Sequence, residues 1–148
     1  ASDPEGIGAK NAMQLAINEA GILPNQVDYI NAHGTSTPIG DIAEVKAIQN
    51  LFGEDAYNIS ITSSKSMTGH LLGGTGAVEA IISILSMQHG MVTPTINHEE
   101  SDKDPNIDYK LDFTFNHAKA RTIQYAMSNN FGFGGHNACL LFKNPNIQ

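Results

Sequence analysis

Between Asn58 and Gly90 the chain makes one transition that restricts its fold more than any other stretch: a short apolar run, a polar glycine-rich turn, then a long apolar segment. Ile59-Ser-Ile-Thr62 alternates β-branched with polar residues, as a strand does. From Thr75 to Gly90 the residues Ala77, Val78, Ala80, Ile81, Ile82, Ile84 and Leu85 leave almost no polar face, so the pattern predicts a helix packed inside the protein. Lys65 and His70 fall in the turn between the two. Any chemistry they carry therefore sits where a strand ends, and open α/β sheets bind ligands at that carboxyl end because the loops vary over a fixed scaffold.

The flanking sequence supports the same layering. Ser2-Asp3-Pro4-Glu5 reads as a helix start with a cap, an early proline and acid in the first turn. The following helix carries Ile7, Ala12, Leu15, Ala16 and Ala20 as its apolar positions and stops at Gly21. Val27-Asp-Tyr-Ile30 is a β-favouring run that delivers Asn31-Ala-His-Gly-Thr-Ser-Thr37 at its end, so His33 also lies at a strand terminus. Thr37-Pro38 opens a helix whose stripe, Ile42, Val45, Ala47, Ile48, Leu51 and Phe52, stops at Gly53. Met91 to Asn97 should be extended. Glu99 to Lys110, rich in Asp, Lys, Asn and Pro, should be a surface loop without chemistry. Thr122 to Ser128 and Ala138 to Lys143 read as an antiparallel pair joined by the glycine-rich connection 129–137.

Composition narrows the classes of partner. The chain has 148 residues, enough for one domain, and 8 Lys plus Arg against 15 Asp plus Glu give a net charge of −7. That balance argues against nucleic acid or an anionic membrane as the main partner. Leu71 to Met87, the most apolar segment, is interrupted by glycines and Glu79 and falls short of a membrane span. The one cysteine, Cys139, cannot form an internal disulfide, and the N-terminus has no signal-peptide order, so a cytoplasmic setting is expected. The chain opens at Ala1 without an initiator methionine, which suggests a portion of something longer.

Three segments gather polar side chains at expected strand ends or in a glycine-rich connection: His33 with Thr35 and Thr37, Lys65 with His70, and Asn129 and Asn130 with Phe131 and Phe133. Two imidazoles and a lysine suit a reaction that develops negative charge on a carbonyl oxygen, because preorganised donors count most against charge that appears only in the transition state. A single such histidine would usually be structural; three coincident sites shift the balance. The six histidines form no HxxxH or HExxH pair, which leaves little for a transition metal. Cys139 lies in Ala-Cys-Leu-Leu-Phe, a run in which a thiol behaves as a small apolar residue. Glu79, set in an apolar helix, needs a partner, and Lys65 is the nearest cation in sequence.

Four motifs carry a resemblance: residues 27–41, Ser63-Ser-Lys-Ser-Met-Thr-Gly-His-Leu-Leu-Gly73, Pro94-Thr-Ile-Asn97 and Asn130-Phe-Gly-Phe-Gly-Gly135. In that order and spacing the sequence resembles the C-terminal half of the elongating β-ketoacyl-acyl-carrier-protein synthases, condensing enzymes of fatty acid synthesis in the thiolase-like superfamily. The resemblance covers almost the whole chain and implies that residues 1–148 are one C-terminal thiolase-like domain. The implied fold is α/β, three layers α-β-α around a mixed sheet, one half of the duplicated thiolase-like architecture.

The implied reaction is a decarboxylative Claisen condensation between an acyl group on a cysteine and malonyl-acyl-carrier protein. By the same resemblance His33 and His70 are the catalytic histidines, with Lys65 supporting them electrostatically together with Glu79. Thr35 and Thr37 line the phosphopantetheine channel, and Phe131 and Phe133 line the acyl pocket, Phe133 as its gate. In some relatives the positions of Asn31, Glu79, Asn129 and Asn130 surround a structural monovalent cation; no other cofactor is implied. Partners implied are acyl carrier protein and, in the whole enzyme, a second copy as a homodimer. The nucleophilic cysteine of the family belongs to the N-terminal half, so this chain alone should be inactive. His136 stands where many relatives have a small hydroxyl residue. Two rivals share the resemblance: a non-catalytic chain-length-factor partner, against which both histidines and Lys65 speak, and a polyketide ketosynthase domain.

Overall fold

The computed structural model describes residues 3–147. Four strands form the main sheet in the order β2 (Ser60–Thr62), β1 (Tyr29–Asn31), β5 (Tyr125–Phe131), β6 (Asn137–Lys143). β1 runs parallel to both of its neighbours, with Ile30 opposite Ile61 and Met127, while β6 returns antiparallel to β5. A second, two-stranded antiparallel sheet pairs β3 (Met91–Val92) with β4 (Lys119–Ala120). The sheet is mixed and carries helices on both faces, as the sequence leads one to expect.

Alternation along the strands divides the core. Ile30, Ile61 and Met127 point to one face, where they meet Met13 and Ile17 of α1 (Ile7–Ala20) and Ile48 and Phe52 of α2 (Pro38–Phe52). Tyr29 and Ala126 point to the other, against Met87 of α4 (Thr75–His89) and Val92. α2 and α4 keep the bounds set by Pro38, Gly53 and Gly90, and a four-residue helix, α3 (Lys65–Thr68), fills part of the expected turn.

Several expectations are corrected. α1 begins at Ile7, after Gly6 in a left-handed conformation, and Asp3 accepts the Glu5 and Ile7 N–H groups from outside the helix. Ser2 lies outside the described residues. The buried row of α1 is Ala9, Met13 and Ile17, at helical i, i+4 spacing, whereas Ile7 and Leu15 are exposed. α4 turns Thr75, Glu79, Ser83, Ser86 and Met87 inward and lies on β5, with Met87 against Ala126 and Gly76 beside Asn130. Its aliphatic side faces out, with Ile81 57% and Leu85 44% exposed, so within this chain α4 is not enclosed. The ladder of β5 and β6 continues through Asn129↔Cys139, Asn130↔Ala138 and Phe131↔Asn137, which takes Asn129, Asn130 and Phe131 out of the expected connection and into a strand. Only 132–136 remains as the turn, closed by the Gly132 N–H donating to the His136 carbonyl at 2.7 Å. Among the described residues no helix is long and apolar enough to cross a membrane.

Candidate active site

His33 lies two residues beyond β1, in a turn fixed from two sides. Its own N–H and that of Gly34 each donate to the carboxylate of Glu44 at 2.9 Å. Glu44 is buried on α2 and also accepts from Asn129 Nδ2 at 3.1 Å. Burial pushes the Glu44 carboxyl up, and the two backbone donors oppose that push. On the other side Ser63 Oγ donates to the Gly34 carbonyl at 2.7 Å. A Cβ on Gly34 would come within 2.8 Å of the Ser63 Cβ, so only glycine allows the turns after β1 and β2 to meet this closely.

The turn after β2 supplies the other two groups. Lys65 Nζ lies 2.6 Å from Glu79 Oε1, with both side chains at most 4% exposed, which confirms the pairing expected of these two residues. Burial raises the Glu79 carboxyl, while Lys65 and, more weakly, Asn130 pull it back. His70 Nδ1 accepts the Leu72 N–H at 3.1 Å, and Thr75 Oγ1 stands 3.0 Å from the same nitrogen. Because an amide can only donate, Nδ1 presents its lone pair and the ring's proton resides on Nε2. His33 and His70 meet edge to face, their ring centroids 5.7 Å apart, and Phe131 approaches His33 at 5.6 Å. Burial, then Lys65 and His70, lower the His33 pKa to about 4.

A cleft of about 780 Å³ opens beside these groups. Thr35, Thr37, Lys65 and His70 line it at one end, and the two threonine hydroxyls stand 3.4 Å apart. At its other end are Tyr109 and the stacked rings of His98 and Phe115, 3.7 Å between centroids. The loop expected to be idle thus supplies wall residues, Asp102, Asp104 and Tyr109 among them. Phe131 and Phe133 lie outside that wall. Phe133 is fully exposed at the tip of the β5–β6 turn.

The structure brings His33, His70, Lys65 and Glu79 together from three segments, as the sequence suggested. The expected cation set is different. Glu79 Oε2 and Asn129 Oδ1 are each buried without a partner, the state of an oxygen suited to a hard ion. Yet Asn129 faces Met13 and Glu44, whereas Asn130 faces Gly76 of α4, on the opposite side of β5. Asn31 is already engaged, accepting from the Ser64 N–H and hydroxyl. The four side chains do not form one ligand shell, and no step is assigned to an ion there. Glu44 and Thr75 were missed. Glu44 had a signal, an acid set among Ala43, Val45, Ala47 and Ile48; Thr75 had none beyond its place at a helix start.

Residues 1–99 match the family model described as the beta-ketoacyl synthase C-terminal domain. The chain belongs to that family. It is 56% identical over 140 residues to a Staphylococcus aureus protein named 3-oxoacyl-[acyl-carrier-protein] synthase 2, covering 95% of this chain and 33% of that relative. The similarly named Synechocystis protein is 48% identical over the same shares. Among solved structures, a beta-ketoacyl synthase from Burkholderia phymatum superposes with a TM-score of 0.85 at 42% identity, over 95% of this chain and 33% of its own. A ketosynthase in complex with a type II polyketide acyl-carrier protein superposes with a TM-score of 0.89 at 35% identity, over 95% of this chain and 34% of that one. The β-ketoacyl synthase domain described here therefore spans about a third of the length of these relatives.

Proposed function

We propose that this chain supplies the enolate-stabilising part of the active site of a 3-oxoacyl-acyl-carrier-protein synthase, a ketosynthase of fatty acid elongation. The observation that carries the reading is the imidazole pair itself, two rings meeting edge to face with centroids 5.7 Å apart beside the cleft. His33, with its pKa near 4, holds no charge at neutral pH, and His70 keeps its proton on Nε2. When the bond between C2 of a malonyl thioester and its carboxylate breaks, carbon dioxide leaves and the electron pair passes to the thioester oxygen as an enolate. Two N–H donors converging on that oxygen stabilise the charge as it develops without having to give up a proton. C2 then attacks the carbonyl carbon of the acyl thioester on the enzyme, and the carbon–sulfur bond breaks to return a cysteine thiolate. The reaction as proposed draws on no cofactor.

That cysteine is not Cys139. Its thiol is pushed up to about 12, chiefly by burial, and it is not among the residues lining the cleft beside the histidines. The nucleophile must come from elsewhere in the whole protein, and this chain by itself is expected to be inactive. Acyl and malonyl groups would arrive on acyl carrier protein, entering past Thr35 and Thr37. A homodimer in the cytoplasm is the assembly and setting the resemblance implies. The 56% identity to a fatty acid enzyme, against 35% to the polyketide ketosynthase, favours fatty acid elongation over the polyketide reading. The intact His33, His70 and Lys65 set favours a catalyst over a chain-length factor.

In the full-length protein, His33→Ala or His70→Ala should lower malonyl decarboxylation on the order of a hundredfold or more, the loss seen when a charge-stabilising donor is removed. Near-normal decarboxylation in both variants would defeat the proposal.

A further inference from the structure

Thr75 is a buried group beside His70 for which the proposed reaction has no use. It is the first residue of α4 and is 2% exposed. Its Oγ1 lies 3.0 Å from His70 Nδ1, the nitrogen that also accepts the Leu72 amide. Since the amide fixes Nδ1 as an acceptor, the Thr75 hydroxyl must donate as well, and two donors converge on one lone pair.

Leu72 reaches that nitrogen only by adopting a φ of 52°, a left-handed conformation that leucine rarely takes. Its side chain is 75% exposed, so no burial compensates. Strain held where an amide meets a catalytic ring points to orientation of the ring as what the turn accomplishes. Thr75, three residues further on at the start of α4, adds to that hold. As a β-branched residue on a helix it is restricted to about two χ1 rotamers, and the one it adopts aims the hydroxyl at Nδ1.

We propose that Thr75 is a positioning residue for His70, whose hydroxyl shares Nδ1 with the Leu72 amide and locks the ring in the tautomer that presents Nε2–H to the substrate oxygen. This rests on the ketosynthase reading above. With the amide alone, the ring has a single tether, and tilting away from it breaks that bond and frees Nδ1 to take the proton; the second donor restricts the tilt, so the effect falls on turnover and not on substrate affinity.

The test uses the full-length protein with Thr75→Val, which keeps the shape and removes the hydroxyl, and Thr75→Ser, which keeps the hydroxyl. Malonyl decarboxylation kinetics and ¹⁵N NMR of the His70 ring nitrogens are the two readouts, with His70→Ala as the reference. Thr75→Val should lower kcat about tenfold at unchanged KM, the effect of one neutral hydrogen bond, and should mix the two tautomer signals. Thr75→Ser should restore both. Parent-like kcat and unmixed ring signals in the valine variant overturn the proposal, as does a serine variant as impaired as valine. A lowered kcat that tracks a lowered melting temperature, with unmixed ring signals, also overturns it and makes Thr75 structural. If His70→Ala decarboxylates normally, the ketosynthase reading fails, while the ring signals still decide whether Thr75 sets the tautomer.

Discussion

Burial, Lys65 and His70 all push the proton off His33, so the ring is neutral near pH 7. The same push has a cost that depends on pH. An unfolded histidine titrates near 6.5 and the folded one near 4, so between those values the unfolded chain binds the extra proton and the folded chain does not. Stability from this residue is therefore complete above about pH 6.5 and is lost as pH falls toward 4. Thermal unfolding of the full-length protein and its His33→Gln variant at pH 7.5 and pH 5 checks this. The melting temperature of the parent should fall further than that of the variant, which has no proton to gain. Equal falls would show that the burial of His33 is not what sets the acid limit.

α4 faces two environments at once. Its inner row is polar and small, closing on β5 and carrying Glu79 to Lys65, while Ile81, Ile84 and Leu85 face outward. The Staphylococcus aureus relative is about three times as long as this chain, and an aliphatic face this exposed suits burial against such a remainder. Ile81→Lys with Leu85→Lys should accordingly raise the soluble yield of this chain expressed alone and lower that of the full-length protein. A double variant that improves both would show that the face remains open in the whole protein. The bounds of α4 and α2 were legible in the sequence because Pro38, Gly53 and Gly90 punctuate a helical pattern, but the inward face of α4 was not. Hydrophobicity alone points Ile81 inward; only the demands of Glu79 and the close approach to β5 reverse it. The extension of β5 through Asn129 and Asn130 was hidden for a related reason, since polar residues beside glycines read as a loop until a partner strand pairs with them. His33, His70 and Lys65 could be found because strand ends and glycine turns mark themselves locally. Glu44 and Thr75 act through partners 10 or 11 and 5 residues away, and short-range pattern reading does not reach those contacts.

The molecule as a whole carries a net charge of −7, yet the one lysine at its candidate site is sealed with Glu79 away from water. Mobile ions screen exposed charges over about 10 Å at 0.1 M and reach buried pairs far less. Recruitment of a charged carrier and turnover of the bound substrate should therefore respond differently to salt in the full-length protein. Raising ionic strength from about 0.05 M to about 0.5 M should shift KM for the malonyl carrier and leave kcat nearly flat. A kcat that changed with salt as much as KM did would mean the Lys65 pair is open to solvent during turnover. By keeping that pair dry, the fold would leave the proposed chemical step indifferent to an ionic medium that governs how often a substrate arrives.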